Sequence, residues 1–155
     1  MDRIIEKALK NFDNFLKDTN WYGRENEVVN IFAHKFLAEY VGEKPLLSLD
    51  QLGIEVAVKQ LDSEKGKELV RKDLVIWKYG DTSVWNEKGE IINNPLVIIE
   101  WKVNDVKKCS YDIGWLGEYT RKYPDVTGYS VCTFMIGKRG LQFQRIVNST
   151  LKYLR

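Results

Sequence analysis

The residues most able to do chemistry follow an apolar run, Leu96–Ile99, which leads directly into Glu100, Trp101 and Lys102. A run that is apolar on both faces is typical of a central strand covered on both sides. Because side chains alternate along a strand, Glu100 and Lys102 should share one face while Trp101 points to the other. A carboxylate and an ammonium group are costly to bury unless they are paired or bind something. The sequence therefore predicts either a functional site here or a surface salt bridge between Glu100 and Lys102 at a strand end.

Asp73 supplies a second carboxylate, at the start of the preceding predicted strand, 73–77. If the two strands are hairpin neighbours, Asp73 can lie beside Glu100. Two carboxylates at short range repel each other, and a divalent cation removes that penalty. Mg²⁺ takes oxygen ligands and needs only a few carboxylates together with a substrate phosphate. We therefore expect a Mg²⁺ site, with Mn²⁺ as an alternative ion, that activates water, while Lys102 stabilises charge on a phosphate.

A third carboxylate is expected from the helix predicted over about 23–40. Its apolar side chains define one face at about 100° per residue. Glu25 projects onto that face, whereas Glu27 projects nearly opposite, toward solvent. Glu25 is therefore the better candidate for the site, although a favourable interaction with the positive end of the helix dipole would also explain it.

A second acid-x-lysine group, Asp105-Val106-Lys107, lies a few residues further on. It lacks an apolar strand before it. We rank it far below the group at Glu100, because such short patterns are frequent in a highly charged chain.

The elements that must position these residues form a mixed α/β order. We predict an N-terminal helix over about 2–18 ahead of the helix at 23–40, and the sequence as a single domain, 1–155. The period then changes to that of strands, and the tail from Leu141 favours a helix, with a short strand before it left open. The predicted strands are 53–58, 73–77, 96–99 and 129–136, with a helix over about 110–123 between the last two. This order indicates a central mixed sheet of four or five strands flanked by helices.

Composition limits the alternatives. The chain has 155 residues, of which 44% are hydrophobic and 30% charged, with a net charge of only +2. No apolar run is long enough for a membrane span, and the N-terminus does not resemble a signal peptide. The two cysteines, Cys109 and Cys132, lack zinc-site neighbours, so we expect two reduced thiols in a cytoplasmic protein. The one histidine, His34, is expected to be a surface or packing residue.

The modest net charge means that any nucleic-acid contact must come from local basic groups. Such groups could bind phosphates, although charge clusters are more often solvated surface. The candidate phosphate contacts are Lys72, Lys107, Lys108, Arg121, Lys138 and Arg139.

Asp73 together with Glu100-Trp101-Lys102 resembles the PD-(D/E)XK nuclease superfamily, which includes many restriction enzymes and archaeal-type Holliday-junction resolvases. Asp73 matches the aspartate of that motif, and Glu100-Trp101-Lys102 matches its (D/E)XK element, whereas Lys72 stands where the motif has proline. By order of elements the resemblance covers roughly residues 23–136. It implies a restriction-endonuclease-like core, a helical glutamate in the role of Glu25, and the carbonyl of Trp101 as a further metal ligand. It also implies that Tyr119 could reach the scissile phosphate, although its helical spacing with Tyr111 and Trp115 favours core packing against the sheet.

The function expected from these residues is metal-dependent hydrolysis of DNA phosphodiester bonds. The alternative is a nucleic-acid-binding or assembly subunit that keeps the nuclease fold without cleavage. The short chain leaves little room for a separate recognition domain, which favours structure-directed or non-specific cleavage, or a partner protein that supplies targeting. The resemblance also allows a homodimer, because small nucleases of this kind often pair to cut two strands.

Overall fold

The computed structural model describes residues 1–61 and 66–153. The helices are α1 (Asp2–Asp18), α2 (Glu25–Ile31) and α3 (Val106–Lys122). The strands are β1 (Leu52–Lys59), β2 (Leu69–Ile76), β3 (Val97–Val103), β4 (Thr127–Phe134), β5 (Gly140–Val147) and β6 (Thr150–Tyr153). Within the described ranges, no helix combines the length and the apolar character that crossing a membrane requires.

The strands form one sheet in the order β1-β2-β3-β4-β5-β6. Strands β3 and β4 are parallel and are joined through α3, whereas every other neighbouring pair is antiparallel. A parallel pair needs such a crossover, because a tight turn can join only antiparallel strands. The predicted α/β class with a mixed sheet flanked by helices is confirmed, with six strands instead of four or five.

The helix that we favoured for the tail is wrong. β5 and β6 form a hairpin whose turn residues, Asn148 and Ser149, have φ of 48° and 62°. Two successive left-handed residues are typical of the tight turns that join antiparallel strands. Phe143 pairs with Val131 of β4 and packs at the edge of the core. The apolar residues of this tail suit a strand as well as a helix, and only the neighbouring strand decides between them.

The sheet separates two apolar cores. On one face, α1, α2 and the turns after α2 cover β2, β3 and β4, and Trp101 lies fully buried among them. On the other face, α3 packs through Leu116 and Tyr119 against Val75 and Ile98. β3 is thus covered on both sides, as its apolar run indicates.

The second predicted helix is only partly regular. α2 ends at Ile31 and continues as a π-helical segment, Phe32–Leu37, and a short 3-10 turn, Ala38–Tyr40. Phe32 and Phe36 from this segment contact Phe12 of α1, with ring centroids 6.0 and 5.1 Å away. This aromatic layer backs β3 on the side opposite α3.

The expectation of two reduced thiols is wrong. Cys109 in the first turns of α3 and Cys132 on β4 are joined as a disulfide. Their separation of 23 residues hides this proximity, because the fold packs α3 directly on β4.

Candidate active site

The site is built around Asp73, where the side chains of β2 stop alternating regularly between the two faces of the sheet. We call this break the change of face at Asp73. β2 begins at Leu69, so Asp73 lies within the strand and does not open it. Residues an even number of positions apart on a regular strand lie on the same face. Leu74, however, packs into the core under α1 and α2, whereas Val70 packs on the α3 side. On β1, Glu55 has a φ of 55° between the paired residues Ile54 and Val56. Simple strand alternation therefore fails at Asp73.

Asp73 links β2 to the acid-x-lysine group of β3. Its Oδ2 accepts a hydrogen bond from the backbone N–H of Trp101 at 2.6 Å. The same oxygen lies 3.4 Å from Nζ of Lys102. The nearest strand pair is Leu74 with Ile99, so this carboxylate extends the contact between the two strands past their last backbone pairs. Asp73 is therefore held between Glu100 and Lys102.

Lys102, on β3, contacts residues of β2, α2 and α3. Its Nζ is 3.2 Å from Oε1 of Glu25 on α2 and 3.6 Å from Oδ2 of Asp112 on α3. It also donates to the carbonyl oxygen of Trp101 at 2.6 Å. Burial alone would lower the pKa of Lys102, but the carboxylates of Asp73, Asp112 and Glu25 together raise it above its usual value. Lys102 therefore stays charged at any physiological pH.

Glu100 has a different partner from the one that the sequence suggested. It is 6% exposed and forms an ion pair with Lys72, which is 7% exposed. The Nζ of Lys72 also lies 3.4 Å from the ring centroid of Trp115 on α3. Burial, with the nearby carboxylates of Asp73 and Asp112, raises the pKa of Glu100 to about 7, although Lys72 opposes this shift.

Lys72 therefore does not present the solvent-facing phosphate contact that we expected. The change of face at Asp73 turns its side chain toward α3, where Glu100 and Trp115 hold it. Its role in this structure is to compensate the buried charge of Glu100.

Asp112, on α3, is a site residue that the sequence patterns did not lead us to expect. Its side chain is 14% exposed and its Oδ2 is buried without a hydrogen-bond donor, apart from the ion-pair distance to Lys102. Burial, followed by the charge of Asp73, raises its pKa, and Lys102 opposes that shift. A signal was present: Cys109, Leu116 and Tyr119 mark the buried face of α3, and Asp112 falls on the same helical stripe. A carboxylate on a buried stripe needs a partner.

The two glutamates of α2 diverge. Glu27 is exposed, and its side chain accepts from the backbone N–H of Arg24 in a capping box. Glu25 instead faces Lys102. The structure therefore brings Glu25 to the site and leaves Glu27 at the helix end.

We define the carboxylate cluster as Glu25, Asp73, Glu100 and Asp112. Lys72 and Lys102 lie between these four carboxylates and compensate half of their formal negative charge. Carboxylate oxygens are the ligands that Mg²⁺ prefers. Oδ2 of Asp112 is buried, has no hydrogen-bond partner among the described residues and has only the ion-pair contact with Lys102, so it could bind such an ion. The donor set thus fits a divalent ion. Among the described residues, no group of three acidic, histidine or cysteine side chains is arranged to hold a metal ion as it stands, and two ammonium groups lie among these carboxylates.

The rival group at Asp105 has a structural explanation. Asp105 caps α3, accepting from the backbone N–H of Lys108 at 3.1 Å. Its side chain also pairs with Nζ of Lys108 at 3.2 Å. It therefore belongs to the start of the helix and not to the carboxylate cluster.

The remaining candidates for nucleic-acid contact divide into two groups. Those with exposed side chains are Lys107, Lys108, Arg121 and Lys138. Arg139, in contrast, donates to the backbone carbonyls of Leu16, Trp21 and Met135. Its guanidinium group is hydrogen-bonded to backbone carbonyls of three different segments. It is therefore not available for the phosphate contact that we expected.

Tyr119 is fully buried, with its ring stacked on Trp115 at 4.8 Å between centroids. Burial raises the pKa of its hydroxyl, which has no hydrogen-bond partner among the described residues. A reach to a scissile phosphate does not fit this position. Tyr111, two turns earlier on α3, is instead 81% exposed.

No protein-family model matches this sequence, and no curated protein matches it. The case for any function therefore depends on the geometry of the carboxylate cluster and on the chemistry of its residues.

Proposed function

We propose that this chain is a Mg²⁺-dependent DNA endonuclease with a PD-(D/E)XK type of site. One observation carries the proposal: the carboxylate of Asp73 accepts the N–H of Trp101, between Glu100 and Lys102. This contact unites the acid of β2 and the acid-x-lysine group of β3 in one partly buried place. The neighbouring carboxylates of Glu25 and Asp112 add the negative charge that a divalent ion would balance.

The residues divide the work by their chemistry. Asp73, Glu100, Glu25 and the carbonyl of Trp101 are the candidates to hold the ion. When bound, Mg²⁺ would supply Lewis-acid stabilisation of the phosphate and a more acidic water. Lys102 provides a compact positive charge, which suits the negative charge that develops on a phosphate during attack. The hydrogen bond from Trp101 N–H fixes the direction of the Asp73 carboxylate.

Substrate contact is assigned to exposed basic groups. Lys107 and Lys108 lie in the first turn of α3, close in sequence to Asp112, whereas Arg121 lies at its other end. With a rise of about 1.5 Å per residue, the two ends of α3 are about 20 Å apart. A DNA backbone running along this helix could therefore meet positive charge at both ends. A homodimer or a targeting partner protein would supply any second cut or sequence recognition.

The test is a cleavage panel on single-stranded, duplex, flap and four-way-junction DNA with Mg²⁺ or Mn²⁺. We expect the wild-type protein to cut at least one form, and Lys102→Ala to lower the rate by at least about 100-fold, as losing a charge-stabilising group does. Lys88→Ala, which removes an exposed lysine from the loop after β2, is the matched control and should cut normally. Cleavage by Lys102→Ala at the wild-type rate would refute the proposed mechanism.

A second candidate, a non-catalytic nucleic-acid-binding or assembly subunit, is favoured by the ion pair between Lys72 and Glu100. That pair already compensates one of the acids that the nuclease mechanism needs. Titration with Mn²⁺ separates the two functions, because a binding subunit has no need of the metal. DNA binding without Mn²⁺ binding and without cleavage would favour the subunit.

A further inference from the structure

The ammonium group of Lys102 lies inside a set of oxygen atoms. Carboxylate oxygens of Glu25, Asp73 and Asp112 are 3.2, 3.4 and 3.6 Å from its Nζ. The carbonyl oxygen of Trp101 is 2.6 Å from the same atom. These four oxygens come from α2, β2, α3 and β3, so the fold converges on this one point.

This oxygen set has the composition of a divalent-cation site. Three carboxylates and one backbone carbonyl are hard ligands of the kind that Mg²⁺ and Mn²⁺ bind. Mg²⁺ binds oxygen at about 2.0–2.1 Å, which is shorter than the distance of each of these oxygens from Nζ, so the ligands would have to move closer together around an ion. A metal ion and an ammonium group cannot occupy the same point, and their like charges repel at short range.

Glu100 does not contact Lys102 in the metal-free protein, so it could join the ligands of an ion only by leaving Lys72. Its carboxylate is paired with Lys72 on the α3 side. The orphaned Oδ2 of Asp112, in contrast, faces Lys102 without another partner. Asp112 thus has both the position and the free oxygen for a ligand.

We propose that the Lys102 ammonium group holds the metal position in the metal-free protein, that a divalent cation enters by displacing it, and that Asp112 is one of the ligands. This inference rests on the proposed nuclease function and deepens it. Lysine has a flexible stem of four carbons, which lets its ammonium group leave while the backbone stays in place. Lys102 therefore opposes metal binding, although cleavage requires it.

Isothermal titration with Mn²⁺ alone tests the displacement. We expect Lys102→Met, which removes the charge and keeps most of the stem, to bind Mn²⁺ at least about tenfold more tightly than the wild type, because the competing cation is gone. Lys88→Met removes the same charge from an exposed loop, so its Mn²⁺ affinity should match the wild type. Equal or weaker binding by Lys102→Met would overturn the displacement.

A second variant controls for loss of the fold in Lys102→Met. Lys102→Gln removes the charge but keeps an N–H donor for the surrounding oxygens, and circular dichroism checks that both variants fold. We expect Lys102→Gln to show the same tighter binding and a larger thermal shift with Mn²⁺ than the wild type. A shift no larger than that of the wild type in a folded Lys102→Gln protein would also overturn the proposal.

The role of Asp112 is tested in the Lys102→Met background. Adding Asp112→Asn should weaken Mn²⁺ binding by about tenfold or more, since a carboxylate ligand becomes a neutral amide. Adding Asp125→Asn, an exposed acid after α3, should leave the affinity unchanged. No loss on Asp112→Asn would remove Asp112 from the ligand set.

The two proposals fail in distinguishable ways. If the wild type cleaves DNA with Mn²⁺ and Lys102→Met does not gain affinity, the displacement is wrong and the nuclease function stands. If neither protein binds Mn²⁺ and the wild type does not cleave, both proposals are wrong.

Discussion

Lys72 and Glu100 form an ion pair from which water is almost excluded. The desolvation of two buried charges offsets much of their attraction, so such a pair adds little net stability. Removing one partner is different, because the remaining charge is then buried without compensation. Lys72 therefore affects stability mainly because, without it, the charge of Glu100 would be buried without a partner.

We predict that Lys72→Met destabilises the metal-free protein more at pH 8 than at pH 5. The pKa of Glu100 is about 7 in the folded protein and 4.5 in the unfolded chain. Between these two pH values, Glu100 is therefore protonated in the folded state and ionised in the unfolded state. Stability from this group therefore falls as the pH rises through that window. Without Lys72 the pKa rises further, so the fall extends to higher pH.

We expect Lys72→Met to lower the free energy of unfolding by up to about 1.4 kcal/mol more at pH 8 than at pH 5, because ionisation of Glu100 in the wild type contributes about 1.4 kcal/mol for each pH unit above its pKa of about 7. Urea denaturation in EDTA at the two pH values measures this difference. Lys88→Met serves as the control for loss of a positive charge. An equal loss at both pH values would show that packing against Trp115, and not the charge of Glu100, explains the effect.

Helix α3 joins the site to the rest of the fold. Asp105 caps the N-terminus of this helix. On the buried side of the helix, Asp112 contacts Lys102 and Leu116 packs on the sheet. Capping fixes where the helix begins, and the helical repeat then determines which side chain meets Lys102.

We predict that Asp105→Ala and Asp73→Asn affect different properties. Asp105→Ala should lower the free energy of unfolding, since the helix loses its capping acceptor, while Asp105→Asn should restore most of the loss. Asp73→Asn should abolish cleavage, because the carboxylate that we propose as a metal ligand becomes an amide. Urea denaturation and the cleavage assay report the two effects. A cleavage loss in Asp105→Asn comparable to that in Asp73→Asn would instead place Asp105 in the site.

Across the whole molecule, positive charge is local. The net charge is only +2, and several basic side chains are already committed inside the protein. Lys72 and Arg139 bind internal partners, whereas Lys107, Lys108 and Arg121 are exposed on α3. Nucleic-acid affinity should therefore depend on α3 more than on the total charge.

We predict that replacing both Lys107 and Lys108 with alanine weakens DNA binding and reduces the slope of log affinity against log salt by about 2, or about 0.9 for each lost phosphate contact. Fluorescence anisotropy at several salt concentrations measures the slope. Arg139→Lys is the contrasting variant: it should lower thermal stability, because it loses bonds to backbone carbonyls, and leave the salt slope unchanged. An unchanged slope in the double variant would exclude these two lysines as phosphate contacts.

The sequence alone determined the class of fold and part of the site. The apolar run before Glu100 indicated the central strand, because a strand covered on both faces is apolar at nearly every position. Helical projection separated Glu25 from Glu27, since that geometry is local. The β-hairpin of the tail was missed, because its apolar spacing suits both periods and only pairing with β4 selects the strand.

The tertiary structure decided the partners. The change of face at Asp73 turned Lys72 inward to Glu100, and no alternating pattern predicts such a change. The packing of α3 on the sheet brought Asp112 to Lys102 and Cys109 to Cys132. Partners of this kind are set by contacts between distant segments, which the spacing of residues along one chain does not encode. The acid-x-lysine group was thus readable from the sequence, whereas the oxygen set around its lysine exists only in the folded protein.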